Sequence, residues 1–90
     1  MSRVSRTVAM ANRRGLHARA SAKFVTLAAT LPIEVTVEKD RSSVNGTSIM
    51  GLMMLGAAMG DSVTISADGD GAEAAVGALA ELVEAKFGED

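Results

Sequence analysis

The chain has 90 residues with 9 basic and 11 acidic side chains, a formal net charge of −2, one histidine, and no cysteine, tyrosine or tryptophan. The acidic balance and scarcity of aromatic side chains argue against a nucleic-acid partner, which calls for basic surface and stacking platforms. Without cysteine there are no disulfides or thiolates, and one histidine cannot assemble a zinc site. We predict a single domain, residues 1–90, with no metal and no cofactor.

The N-terminus lacks the apolar core of a signal peptide. The longest apolar stretch, residues 49–59, is shorter than the about 20 residues that cross a bilayer. These two features predict a cytoplasmic protein without membrane insertion.

The first third of the chain changes from a strand pattern to a helix pattern. Residues 3–10 are rich in β-branched side chains and predict a strand, and residues 12–15 are polar, end in glycine and predict a loop. From His17 to about Ala29 apolar residues recur every three or four positions, which predicts a helix that ends before Pro32. Its apolar face comprises Ala20, Phe24, Leu27, Ala28 and Leu31. His17 is thus expected at the N-terminal end of the first helix.

The middle of the chain predicts a hairpin and a short helix. Residues 33–38 alternate strictly and predict a strand, which is followed after a turn by a short returning strand at residues 43–45. Thr47 or Ser48 can then cap a short helix over residues 49–55.

The C-terminal third predicts one more strand and one more helix. Residues 62–68 alternate, with a turn after them that lacks the full ligand spacing of a calcium loop. We predict the last helix over residues 72–87 and a frayed tail at residues 88–90. The inner stripe of this helix comprises Ala72, Ala75, Val76, Leu79, Leu82 and Val83. The resulting β-α-β-β-α-β-α order indicates an α+β domain with an antiparallel or mixed sheet whose second face meets water.

His17 is the first candidate for chemistry. A lone histidine is more often a surface or capping residue than a reactive one, but His17 follows Gly15 at a predicted helix start and has Arg19 two residues later. Imidazole is a nucleophile at neutral pH. A phosphoryl group on His17 would meet helix N–H groups and the Arg19 guanidinium.

Ser48 and the apolar residues after it also allow two interpretations. Ser48 is either an ordinary helix cap or a phosphorylation site, because negative charge is favourable at a helix N-terminus. Leu52 and Leu55 are spaced to face inward, and we predict that Met54 and Met59 also fill the core. A helix this short cannot bury every apolar side chain. Three residues remain as core or as an exposed docking patch: Ile49, Met50 and Met53.

Two segments, GLHARAS at residues 15–21 and SIMGLMML at residues 48–55, resemble HPr, the histidine-containing phosphocarrier of the bacterial phosphoenolpyruvate-dependent phosphotransferase system. The resemblance covers essentially the whole chain. It implies an open-faced β-sandwich, in which a four-stranded antiparallel sheet carries three helices on one face. It also implies a monomeric phosphoryl carrier that acts with partner enzymes and is not an enzyme itself.

The resemblance also implies residue roles. His17 would accept a phosphoryl group from enzyme I on Nδ1 and pass it to a histidine of a downstream acceptor protein. Arg19 would steady that group, and Ser48 would be modified by HPr kinase/phosphorylase. The positions implied to dock onto partners are Ala20, Ile49, Met50 and Met53.

This chain departs from the usual family pattern at two positions: most members have proline where it has Ala20, and a basic residue is common where it has Gly51. Residues 12–15 look more like the nitrogen-related regulatory branch than the sugar-transport branch, and both outputs stay open. Two alternatives stand beside the carrier. One is a small-molecule-sensing α+β module with a pocket at a dimer interface, and the other is an HPr-like regulator modified only on serine.

Overall fold

The structure, a computed structural model, describes residues 3–89. Its strands and helices are β1 (Arg3–Ala9), α1 (Ala18–Ala29), β2 (Thr36–Lys39), β3 (Ser42–Asn45), α2 (Ile49–Met54), β4 (Ser62–Asp68), α3 (Ala72–Glu84) and a final 3-10 turn (Lys86–Gly88). The four strands form one antiparallel sheet in the order β1-β4-β2-β3. The predicted fold class, an open antiparallel sheet with three helices, is confirmed. Within residues 3–89 no helix is long and apolar enough to cross a membrane.

Alternation along the strands gives the sheet two different faces. The pairs Val8–Val63 and Val37–Ile65 lie opposite each other in the register and are buried in the core. Several of the intervening positions carry hydroxyl side chains, and the Thr7 and Thr64 hydroxyl groups lie 2.9 Å apart. The apolar face therefore covers the core, and the polar face carries cross-strand hydrogen bonds.

Each helix contributes large apolar side chains to one core. Phe24 of α1, Leu52 of α2 and Leu79 of α3 are almost completely buried. Burial of one such side chain stabilises the fold by about 1.5–3 kcal/mol. The predicted inner stripe of the last helix is buried except for Leu82, which packs partly buried against the core.

The second strand is shorter than predicted at its N-terminal end. It begins at Thr36, because the ladder to β4 begins with the pair Thr36–Ser66. Val35 is nevertheless buried, and its carbonyl oxygen accepts a 2.8 Å hydrogen bond from the Gly46 N–H. The alternation thus follows the pattern of buried and exposed side chains from residue 33 onward, whereas the hydrogen-bonded strand begins only at Thr36.

The last helix and the tail also differ from the prediction. Helix α3 ends at Glu84, because Lys86 and Phe87 have left-handed backbone angles, with φ of 58° and 56°. Phe87, predicted as the end of the helix, is buried by this reversal. The prediction of a frayed tail is wrong for Gly88 and Glu89, because both donate backbone hydrogen bonds and Glu89 also makes side-chain hydrogen bonds. Asp90, the last residue of the predicted tail, lies outside the described residues.

The prediction that Met54 and Met59 fill the core is wrong. Met54 is 80% exposed and Met59 is 60% exposed. Helix α2 has only six residues, and its inward positions are taken by Leu52 and the following Leu55. Met54, two residues after Leu52, therefore points to the opposite side of the helix.

Candidate functional site

A tight loop sets the position of His17. Gly15 has a φ of +60°, and a Cβ atom on it would overlap the carbonyl oxygen of Ala57. The next residue, Leu16, donates a 2.9 Å hydrogen bond from its N–H to that same oxygen. The Leu16 carbonyl oxygen accepts a 3.1 Å hydrogen bond from the buried Ser21 hydroxyl. The loop is therefore fixed against the segment between α2 and β4 just before His17.

His17 is the N-cap of α1, as the sequence predicted. Its backbone is extended, with φ −73° and ψ 180°, and its side chain accepts a hydrogen bond from the Arg19 N–H at Nδ1, 3.3 Å away. Its other ring nitrogen, Nε2, lies 2.9 Å from Glu89 Oε1. Both side chains are 19% exposed.

These two contacts favour one tautomer of the neutral ring. The Arg19 N–H can only donate, so Nδ1 must present a lone pair. An ionised carboxylate can only accept, so Nε2 must carry the proton. Both partners therefore require the Nε2–H tautomer, in which Nδ1 is the nucleophilic nitrogen.

Glu89 is held by a second side chain. Asn12, which is fully buried, donates from Nδ2 to Glu89 Oε1 at 3.0 Å and to the Gly15 carbonyl oxygen at 2.8 Å. The hydrogen bond with His17, followed by that from Asn12, holds the pKa of the Glu89 carboxyl below its ordinary value. Asn12 thereby links the loop before His17 to the carboxylate that contacts the ring.

Arg19 and Ala20, both predicted site residues, differ in accessibility. The Arg19 side chain is exposed in the first turn of α1, and within residues 3–89 it makes no hydrogen bond or ion pair. Ala20 has 0% exposure and belongs to the core. The prediction that Ala20 docks onto partners is wrong, because α1 turns this side chain into the core.

Ser48 is the N-cap of α2. Its hydroxyl oxygen accepts a 2.9 Å hydrogen bond from the Gly51 N–H, which confirms that Ser48 and not Thr47 caps this helix. A Cβ on Gly51 would lie 2.9 Å from the Ser48 hydroxyl oxygen and 3.0 Å from Val44 Cβ. The glycine thus lets the first turn of α2 approach both the cap and β3.

A group of large apolar side chains is exposed on and just after α2. We call it the methionine patch, and it comprises Ile49, Met50, Met53, Met54 and Met59. Ile49, Met50 and Met53, which the sequence left open between core and exposed patch, are all exposed and do not follow Leu52 into the core. The patch begins directly after Ser48, so a charge on Ser48 would lie at its edge.

Comparisons with known proteins agree with this architecture. A sequence profile of the family PTS-HPr, described as the PTS HPr component phosphorylation site, matches residues 4–85. The chain belongs to the HPr family.

Its relatives match it over almost their full length. Over 89 residues it is 38% identical to the phosphocarrier protein NPr of Shewanella violacea, which covers 99% of this chain and 98% of the relative. Over 86 residues it is 45% identical to the phosphocarrier protein HPr of Neisseria meningitidis serogroup A, covering 96% and 97%. The crystal structure of HPr from Thermoanaerobacter tengcongensis superposes with a TM-score of 0.89 at 47% identity, covering 100% of this chain and 99% of that one.

HPr proteins are carriers and not catalysts in themselves, so this chain has a phosphocarrier role in the phosphotransferase system and works with partner proteins of that system. The assignment favours the carrier over the small-molecule-sensing alternative.

Among residues 3–89 there is no cluster of three or more histidine, aspartate or glutamate side chains that could hold a metal ion.

The sequence reasoning missed two residues of the His17 environment, Asn12 and Glu89. Asn12 carried a weak signal, because it is a polar residue in the loop that precedes His17. Glu89 carried no signal, because it lies 72 residues after His17 in the sequence, beyond the predicted end of the last helix.

Proposed function

We propose that His17 is the phosphoryl acceptor of this HPr-family protein and that phospho-enzyme I is its donor. The observation that supports the proposal is the pair of contacts made by the ring at the start of α1, the Arg19 N–H at Nδ1 and the Glu89 carboxylate at Nε2, which together favour a lone pair on Nδ1. Nδ1 attacks the phosphorus atom and forms an N–P bond. The bond between phosphorus and enzyme I breaks, and its electron pair stays with enzyme I.

The surroundings of Nδ1 suit a transferable group. Once the N–P bond has formed, the Nδ1 lone pair is in use, and the Arg19 N–H becomes available to a phosphoryl oxygen. The exposed Arg19 guanidinium can reach the same group and balance its charge. His17 is partly exposed and the neighbouring Arg19 is exposed, so a phosphoryl group on Nδ1 would lie at the surface, within reach of partners.

The second transfer reverses the first. A histidine of a downstream acceptor protein attacks the phosphorus atom, and the N–P bond of His17 breaks. The electron pair returns to Nδ1 and restores the neutral ring. We propose that the protein acts as a monomer in both steps and docks through Ile49, Met50 and Met53, with Met54 and Met59 extending that surface.

We further propose that HPr kinase/phosphorylase, where the host makes it, phosphorylates Ser48. A phosphate there would place negative charge beside the methionine patch. Charge beside an apolar interface opposes docking through desolvation and through repulsion of acidic partner groups. Phosphorylation of Ser48 would thus weaken the binding of enzyme I.

The output of the carrier is proposed to be sugar transport or its nitrogen-related regulatory branch. Similar relatives of this chain include proteins named HPr and a protein named NPr. The output follows from the acceptor, because the carrier step at His17 is the same in both. Transfer from the phosphorylated protein to purified acceptors of each branch assigns it.

The donor step is tested by incubating the protein with enzyme I and labelled phosphoenolpyruvate. A His17→Ala variant is the control, since it removes the only histidine. We expect an acid-labile, alkali-stable label on the parent protein and none on the variant. An unlabelled parent in the presence of active enzyme I would sink the proposal.

A further inference from the structure

The chain after α3 is built to return a carboxylate to the start of α1. Lys86, Phe87 and Gly88 all have positive φ angles, of 58°, 56° and 74°. This conformation is unfavourable for the two residues that are not glycine. Such a turn persists only when the surrounding structure holds it, so its contacts indicate what it is for.

Three contacts hold the turn in place. Phe87 is 1% exposed and anchors the turn in the core. Lys23 of α1 donates from Nζ to the Phe87 carbonyl oxygen at 2.7 Å. The Glu89 N–H donates to the Lys86 carbonyl oxygen at 2.9 Å, so the backbone of Glu89 is ordered along with the turn.

The Glu89 side chain then bridges two residues of the His17 loop. Its Oε1 atom accepts from His17 Nε2 at 2.9 Å and from Asn12 Nδ2 at 3.0 Å. Asn12 cannot swing away, because it is fully buried and also donates to the Gly15 carbonyl oxygen. The carboxylate is therefore fixed against the imidazole from its own turn and from the facing loop.

We propose that Glu89 is a positioning residue for phosphoryl transfer, which holds the proton on His17 Nε2 so that Nδ1 presents its lone pair to the incoming phosphoryl group. This inference rests on the proposed carrier function of His17. The proton already resides on Nε2 when Nδ1 attacks, so no proton has to leave during the transfer. The ring becomes positively charged as the N–P bond forms, and the carboxylate balances that charge through the Nε2–H hydrogen bond.

The same contact acts in the return step. When the N–P bond breaks, the electron pair goes back to Nδ1 and the ring becomes neutral with its proton still on Nε2. The carboxylate thus serves both directions without taking up the proton. If Glu89 only tethered the tail, its removal would change neither the tautomer of His17 nor the rate of phosphoryl transfer.

The test uses the full chain with ¹⁵N-labelled histidine, which reports His17 alone. At a pH at which the ring is neutral, we expect the parent to show the Nε2–H tautomer by ¹⁵N NMR. In Glu89→Ala the Nδ1–H tautomer should become detectable, and the phosphorylation rate at subsaturating enzyme I should fall about five- to tenfold, as expected for loss of one charge-assisted hydrogen bond. Glu89→Gln keeps an acceptor but loses the charge, so it should keep the tautomer and slow phosphorylation by only about two- to threefold.

The matched control is Glu81→Ala, which removes an exposed carboxylate of α3. It should keep the parent tautomer and rate. Thermal unfolding of each variant verifies that the fold is retained, and a chain that ends at Gly88 with an amidated C-terminus removes Glu89 together with Asp90 and adds no new carboxylate. A parent-like tautomer and rate in both Glu89→Ala and the shortened chain would overturn the inference while leaving the carrier function intact. A parent that takes no label would overturn the carrier function, and the NMR measurement would still show whether Glu89 sets the tautomer.

Discussion

Lys23 Nζ lies 2.7 Å from the carbonyl oxygen of Phe87 and joins the middle of α1 to the C-terminal turn. Replacing Lys23 with methionine keeps an apolar stem and removes the donor. We expect a loss of about 1 kcal/mol in the free energy of unfolding, measured in urea, because a hydrogen bond of this kind contributes on that scale. The N–H groups of Gly88 and Glu89 should also exchange faster with solvent.

The control for Lys23 is Arg41→Met, at the exposed turn between β2 and β3. It removes a surface cation away from the C-terminal turn and should change stability by less than about 0.5 kcal/mol. Unchanged exchange at Gly88 and Glu89 in Lys23→Met would contradict the role of this contact.

The Glu89 carboxyl should titrate at lower pH in the folded protein than in the unfolded chain, because its hydrogen bonds with His17 and Asn12 lower its pKa. A depressed folded pKa means that the contribution to stability is present above the unfolded pKa and is lost as the pH falls through the folded pKa. ¹³C NMR of the carboxyl, with and without urea, measures the two midpoints. Equal midpoints would show that the hydrogen bonds do not form.

Substitution of Gly15 should be much more costly than substitution of Gly56. Both have left-handed backbones, with φ of +60° and +66°. A Cβ on Gly15 would overlap the Ala57 carbonyl oxygen, whereas a Cβ on Gly56 would meet nothing within 4 Å. We expect Gly56→Ala to destabilise by about 1 kcal/mol and Gly15→Ala by more than about 2 kcal/mol, measured in urea.

Gly15→Ala should also slow phosphorylation of the protein by enzyme I, because Gly15 fixes the loop that positions His17. Gly56→Ala should not. Similar losses of stability in the two variants would contradict the overlap between a Cβ on Gly15 and the Ala57 carbonyl oxygen.

Ser48 allows the capping role to be separated from the effect of charge. Ser48→Ala removes the acceptor of the Gly51 N–H and should destabilise the fold by about 1 kcal/mol. Ser48→Asp retains a good capping oxygen, so it should keep the parent stability. It should nevertheless raise the KM for enzyme I, because it places charge beside the methionine patch. A KM unchanged by Ser48→Asp would argue against regulation through charge at this position.

The methionine patch is tested with Met50, which is 70% exposed. Met50→Asp should weaken the binding of enzyme I about tenfold or more, because docking would then remove water from an unpaired carboxylate in the proposed interface. The stability of the free protein should change little, because this side chain is exposed. Glu73→Ala, at the start of α3, is the surface control. Calorimetric titration with enzyme I measures both, and equal affinities would place the docking surface elsewhere.

Local pattern in the sequence was enough for most elements of this fold. The alternation of residues 62–68 and the apolar repeat that begins after His17 depend on neighbours within one or two turns, and both elements occur where they were predicted. The same local signals placed His17 at a helix start and narrowed the cap of the second helix to Thr47 or Ser48, of which the structure has Ser48. These features follow from backbone geometry and capping, which act over a few residues.

Tertiary structure alone decided which carboxylate meets His17. Glu89 reaches its ring across 72 residues of sequence, because the chain reverses after α3 and Phe87 is buried as an anchor. Whether Met54 and Ala20 face solvent or the core likewise depended on how short α2 is and on how α1 lies against the sheet. Sequence periodicity shows which residues share a face, but only the packing of distant elements determines which face is covered and which carboxylate meets the histidine.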